Sequence, residues 1–252
     1  YTLPLMLLCG ALGGAAYAMI PAILKTRFST NEILTSLMLV YVANLLLDYL
    51  VRGPWRDPQG FNFPETALFS ASATLPSLGM GRLSVSVFVA LGVALLLWVV
   101  LSRSLRGYQI RVLGESPRAG AFAGFSAKRM TVFAFAISGA LAGIAGVGEV
   151  AGIHYRLRYP QGISPGYGFT AIIVAFLGRL NPLAIVVAGV VLASSYIGGE
   201  SVQASLGISD KIASVVQGML LFFVLACDTL IFYRVRLHRK VLSENAGEGA
   251  HV

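Results

Sequence analysis

LSVSVFVALGVALLLWVVLS (83–102), RSLRGYQIRVLGESPRAGAFAGFSAKR (103–129) and MTVFAFAISGALAGIAGVGEVA (130–151) follow one another without a break. The two flanking pieces are apolar, and each is about the ~20 residues a helix needs to cross a bilayer. The middle piece carries Arg103, Arg106, Arg111, Arg118, Lys128 and Arg129 against Glu115 alone. Positive charge in a short loop between two spans marks the cytoplasmic side. The stretch therefore reads as an inward crossing, a cytoplasmic loop and an outward crossing.

The whole chain supports a membrane protein. It has 252 residues, 56% hydrophobic and only 12% charged, and a mean hydropathy of +0.77. Soluble domains carry about 25% charged residues. Further apolar runs lie at Leu3–Leu24, Ile33–Val51, Pro182–Gly198 and Ile212–Tyr233, with a shorter one at Gly166–Gly178. They lack the alternation of a β-barrel, and in lipid only helices or closed barrels satisfy the backbone. The fold class is all-α, a polytopic helical membrane protein. The formal charge of +8 comes from the 103–129 loop and from Arg234, Arg236, Arg239 and Lys240, so it points to membrane orientation and not to nucleic acid. Cys9 and Cys227 both lie in apolar runs and read as packing residues.

With 103–129 and the C-terminus both cytoplasmic, an odd number of crossings must follow residue 151. Gly166–Gly178 is then a crossing, for seven in all. Arg52–Arg82, rich in turn formers such as Gly53-Pro54 and Asp57-Pro58, becomes an external loop. The membrane-spanning body is expected to span 1–240, with halves at about 1–102 and 130–233 around the 103–129 loop. Residues 241–252 are polar and small and are expected to be a disordered cytoplasmic tail. Residue 1 is Tyr, and N-terminal spans are expected to be missing.

Gly10-Ala11-Leu12-Gly13-Gly14-Ala15-Ala16 matches Gly139-Ala140-Leu141-Ala142-Gly143-Ile144-Ala145 at five of seven positions. The pairs Gly10/Gly14 and Gly139/Gly143 have the spacing that lets helices pack closely. The topology runs the two segments in opposite directions, which is the signature of an inverted repeat in transporters. Chance similarity between Gly/Ala-rich helices is the alternative.

Ser116-Pro117 reads as a helix start, with Ser as cap and Pro in the first turn. Gly124 is a stop in the left-handed position. Phe122 is the one large apolar group between them. The short helix either rests on lipid headgroups or docks a cytoplasmic partner.

Here the chain resembles a known family. LGESPRAGAFAG, SGALAGIAGVGEVAG and GYGFTAIIVAFLGRLNP are similar to the permease subunits of ATP-binding-cassette importers for simple sugars, nucleosides and branched-chain amino acids. The similarity runs from about Leu5 to Tyr233. Residues 31–58 look most like the nucleoside branch. The resemblance implies that Gly114, Glu115, Ser116, Pro117, Arg118, Ala119, Phe122 and Gly124 form a coupling helix that sits in a cleft of a cytoplasmic ATPase. It also implies a second permease subunit, a substrate-binding lipoprotein, a bacterial plasma membrane, and ATP and Mg bound by the partner ATPase. No cofactor is expected on this chain. It has no G-x-x-x-x-G-K-[ST] segment, so it is not expected to be an enzyme.

Polar groups within spans are costly and mark pathways or pairs. Tyr41, Asn44 and Asp48 share a face of Ile33–Val51 and form a candidate substrate pathway. The other reading pairs Asp48 with Arg52 one turn on. Asn31 and Glu32 cap that span or gate its inner mouth. Glu149 pairs with Arg156 or Arg158, or meets the receptor. Gly166-Tyr167-Gly168-Phe169 opens either a broken helix lining a cavity, with Tyr167 and Phe169 on the pathway, or an interfacial anchor. His154, His238 and His251 are too scattered for a metal site. The rival functional class is an ion-coupled secondary transporter of a small polar solute. It would explain the repeat and Asn44/Asp48, but it requires no capped basic loop.

Overall fold

The computed structural model describes residues 2–60, 63–76, 84–164 and 166–206, with helical positions 215, 216, 218–220, 222, 223, 226 and 227 beyond them. The expected tail 241–252, Gln217, Asp228 and most of the Ile212–Tyr233 run lie outside the described residues. Their regular secondary structure is helical, joined by turns and irregular segments, and Glu65 and Arg158 form an isolated antiparallel bridge. The elements are α1 (Thr2–Phe28), α2 (Glu32–Arg52), α3 (Ser86–Arg103), α4 (Leu105–Glu115), α5 (Pro117–Phe122), α6 (Ala127–Glu149), α7 (Pro160–Ile163), α8 (Tyr167–Leu177) and α9 (Pro182–Leu206). The chain divides into two compact units, Tyr1–Leu192 and Ala193–Val252, with the boundary inside α9. In the second unit two serines of α9 turn back on the helix. Ser201 and Ser205 each donate to the carbonyl four residues earlier, at 2.9 Å.

Among the described residues five helices are long and apolar enough to cross a membrane: α1, α2, α3, α6 extended to His154, and Pro182–Gly199 of α9. Many of their leucines and valines are exposed, Leu45 at 71%, although Val51 and Leu192 are buried. A helix apolar all round needs lipid or another apolar surface around it. The Gly166–Gly178 segment forms α8, an 11-residue helix. At about 1.5 Å per residue it covers roughly half of the ~30 Å hydrocarbon layer. It is bounded by Gly166 at φ +102° and by a turn in which Arg179 and Leu180 are also left-handed.

The first unit is built on α1 against α6. The two helices run antiparallel. Gly10 faces Gly143 and Val147, Gly14 faces Gly139 and Gly143, and Ala18 faces Gly139. A β-carbon on Gly14 would stand 3.0 Å from the Gly143 Cα and closer still to the Gly139 carbonyl. No side chain larger than hydrogen fits, so the backbones touch, as small-xxx-small faces allow. The two similar heptapeptides are thus each other's packing partners.

At the end of α1, Lys25 and Arg27 lie in the last turn, where cations offset the negative end of the helix. Ser29 takes the left-handed conformation at φ 54° and reverses the chain. Asn31 then caps α2, its Oδ1 accepting from Ile33 N at 2.9 Å. Tyr17 of α1 donates to the Leu39 carbonyl of α2 at 2.7 Å and ties the hairpin at mid-length.

α6 does not stop at Glu149. It widens into a π turn over Val150–His154 and ends at Tyr155, which is left-handed. The segment expected as a loop from Arg52 to Arg82 has an ordered part. Residues 65–75 form a strap fastened to 151–158. Thr66 N donates to Leu157 O at 3.0 Å, Phe69 N to Tyr155 O at 2.9 Å and Leu75 N to Ala151 O at 2.9 Å. The Glu65 carboxylate takes Arg158 Nε at 2.9 Å and also pairs with Arg156.

Candidate functional site

The loop 103–129 holds two helices where one was expected, and together they form a hairpin. Ser104 welds α4 onto α3. Its hydroxyl donates to Val100 O at 2.6 Å and accepts from Gly107 N at 3.1 Å. Ser116 then serves both α4 and α5. Its N–H closes α4 on Val112 O at 2.9 Å, and its Oγ starts α5 by accepting from Ala119 N at 3.4 Å. Pro117 fills the first turn, where a missing N–H costs nothing.

α5 closes with the double bond of a Schellman motif. Phe125 N donates to Gly120 O at 2.9 Å, and Gly124 N to Ala121 O at 3.0 Å. Gly124 stands at φ +77°, a conformation that costs other L-residues roughly 1–2 kcal/mol. Gly120 is buried on α4, where an added β-carbon would lie 3.1 Å from Leu113 Cγ. Leu113 was not singled out in the sequence, yet it is the surface on which α5 lies.

Seating Gly120 inward turns the rest of α5 outward. Gly114, Glu115, Ser116, Pro117, Arg118, Ala119 and Gly124 are all exposed. Phe122 is 94% exposed. A pre-formed helix end thus presents one aromatic side chain beside Arg118. Arg106 lies 4.7 Å from the centroid of the Phe133 ring of α6 and ties the hairpin to the body, while Tyr108 meets Phe125 edge-on at 6.2 Å within the hairpin itself.

Asn31 and Glu32 both act as helix-start groups, and Glu32 also forms an ion pair with Lys25 across the α1–α2 turn. On α2, Tyr41 and Asn44 are exposed and Asp48 is half-buried. Asp48 is bidentate to Arg52 Nε, at 2.8 and 2.9 Å. Of the two readings of Asp48, the structure has the pair. Glu149 requires a correction. It faces His154 Nε2 at 3.5 Å, because the π turn brings His154 back over it while Arg156 and Arg158 go to Glu65.

An apolar cleft of about 570 Å³ runs between α3 and α6, past Val89, Val93, Leu97 and Ile144. Its polar groups, Ser86 and Glu149, lie at one end. It includes none of Tyr41, Asn44, Asp48, Tyr167 or Phe169. Tyr167 and Phe169 stand at the start of α8, 44% and 63% exposed. The structure does not gather these five residues around that cleft. Among the described residues no group of three or more His, Cys, Asp or Glu side chains could hold a metal ion.

The chain is similar along almost its whole length to proteins of known naming. It is 36% identical to a glucose ABC transporter permease protein of Haloferax volcanii, over 92% of this chain and 63% of that protein. It is 29% identical to a guanosine ABC transporter permease protein of Bacillus subtilis, over 94% of this chain and 69% of the other. A nucleoside ABC transporter permease protein of Lactococcus lactis is 27% identical over 88% of this chain and 63% of its own length. The chain thus spans about two thirds of the length of these relatives. No solved structure matches it. Residues 1–225 match the family described as the permease component of the branched-chain amino acid transport system. With α1 to α9 as its helices and the α4–α5 hairpin projecting from them, the chain belongs to this family of polytopic membrane permeases.

Proposed function

We propose that this chain is the membrane-spanning subunit of an ATP-driven importer. A cytoplasmic ATPase supplies the energy, with ATP and Mg bound there and not on this chain. An external substrate-binding lipoprotein delivers the cargo, and a second permease copy or homologue completes the pathway. The assembly sits in a plasma membrane with the α4–α5 hairpin and the C-terminus inside.

The observation that carries this reading is the hairpin itself. A six-residue helix is too short to be stable alone. This one is capped at both ends, seated on Leu113, and directs Phe122 almost fully into solvent. An almost fully exposed aromatic on a rigid support is the kind of anchor that fills a partner's pocket. An ion-coupled transporter needs no such device.

The cargo is a nucleoside or a related sugar. Two of the relatives named above are nucleoside or guanosine permeases, and the glucose permease is the most identical of the three. Tyr41 and Asn44 offer stacking and hydrogen bonding, which both cargoes require. The two similar segments in α1 and α6 form an inverted repeat, and the halves around them rock about a site between them.

Co-purification with the ATPase tests the energetic role. The wild-type subunit is expected to retain the ATPase through detergent extraction. Phe122→Asp is expected to insert at wild-type level and lose it. Retention by Phe122→Asp would remove the docking role of α5.

A further inference from the structure

We propose that α1 and α6 act as one rigid strut that carries the state of the outer strap to the α4–α5 hairpin. Its outer fastening is Glu65, clamped between Arg156 and Arg158. This rests on the importer reading above and adds to it the route by which the two faces of the protein communicate.

The outer end is well defined. The strap bonds to residues 151–157, the direct continuation of α6, through Leu75, Phe69 and Thr66 N–H groups. Leu157 N returns a bond to the Thr66 hydroxyl at 3.0 Å. The strap also reaches α1, where the Thr2 hydroxyl donates to the Ser72 carbonyl. It therefore caps both helices of the pair.

The middle of the strut does not give. The glycine faces of α1 and α6 are in backbone contact, and close-packed interfaces transmit displacement because they hold no free volume. The helix from Ala127 through His154 is 28 residues long, about 42 Å at 1.5 Å per residue, and so reaches beyond the ~30 Å hydrocarbon layer at both ends. At the inner end the same helix carries Phe133 under Arg106 of α4. A push on the strap thus has a continuous solid path to the hairpin.

A relay needs an element with two states. The clamp has that character. One carboxylate faces two guanidinium groups, with all three side chains between 21% and 35% exposed. Such half-exposed pairs are weak enough to open and close within a transport cycle.

The test is a switchable fastening. Glu65 and Arg158 are partners in the antiparallel bridge. Bridged residues lie about 4.5–5.5 Å apart at Cα, within the span a disulfide accepts, ~4.4–6.8 Å. The variant is Glu65→Cys with Arg158→Cys, in a Cys9→Ala, Cys227→Ala background. It is assembled with its ATPase in nanodiscs. ATP hydrolysis is measured with and without the substrate-loaded lipoprotein, using adenosine or glucose, whichever is transported.

In the reduced variant the stimulated-to-basal ratio is expected to fall at least about fivefold, the lower end of ordinary coupling. Oxidation locks the clamp in one state and is expected to leave the ratio low, because a fastening that cannot open cannot signal. Glu65→Gln, which keeps both arginines, is expected to behave like the reduced variant. A wild-type ratio in the reduced variant and in Glu65→Gln would overturn the clamp. A ratio restored by oxidation would overturn the clamp as the two-state element of the relay. Absence of stimulation in the wild-type complex would defeat the importer reading and this inference with it.

Discussion

Gly14 of α1 and Gly139 of α6 face each other so closely that neither position has room for a β-carbon. The carbonyl of each occupies the space where the other's side chain would stand. One turn away the Gly10 carbonyl fills the space at Gly143, while Gly10 itself is closed off by the Val147 side chain. The contact is antiparallel and made of two similar sequence segments, so it is nearly self-complementary. An enlarged residue on either helix therefore acts on both.

Gly14→Leu and Gly143→Val are expected to push α1 away from α6. Overpacking of this kind costs about 1–3 kcal/mol or more. Thermal unfolding in detergent checks this, and a melting temperature equal to that of the wild type would show that the helices are free to separate.

The α5 cap gives a smaller effect. Gly124→Ala places a β-carbon at φ +77° and is expected to cost roughly 1–2 kcal/mol locally. Its signature is faster labelling of a cysteine at Ala123, with global stability little changed. Gly124→Asn, which tolerates the left-handed region better, is expected to label at close to the wild-type rate. Equal labelling of all three would mean that the Schellman closure does not hold α5.

On α2, stability and flux separate packing from pathway. Asp48→Asn breaks an exposed i,i+4 pair, a loss of about 0.3–0.5 kcal/mol, so unfolding is expected to change little. Asn44→Leu is expected to leave stability intact and lower the uptake rate. Unchanged uptake kinetics in Asn44→Leu would make the Tyr41–Asn44–Asp48 face a packing or lipid-facing surface.

The orientation has its own check. A cysteine at Gly114 is expected to react only with reagent on the cytoplasmic side, and one at Gln59 only with reagent outside. Reaction from the same side would refute the placement of both the hairpin and the strap.

What could be read from the chain was local. Ser116, Pro117 and Gly124 announce the ends of a helix because capping depends on residues within one turn of each other. The apolar runs announce α1, α2, α3 and α6 because the membrane imposes length and hydropathy without regard to partners. The glycines of the two similar segments were legible as close-packing groups, but that the segments pack against one another was not. Glu65 meets Arg156 across 91 positions, and nothing near either residue marks the other. α4 was also missed, since Arg106, Gln109, Arg111 and Gly114 dilute its apolar face. The pairing of Glu149 with His154 depends on a π turn, whose single extra residue per turn leaves no mark in composition.

The most direct test of the central claim is uptake of labelled adenosine and glucose into cells carrying the complete operon, with and without this subunit. Uptake of one of them that depends on the subunit, survives an uncoupler and stops on ATP depletion is the expected result. Uptake that collapses with the uncoupler while ATP is maintained would contradict it and make the chain a secondary transporter.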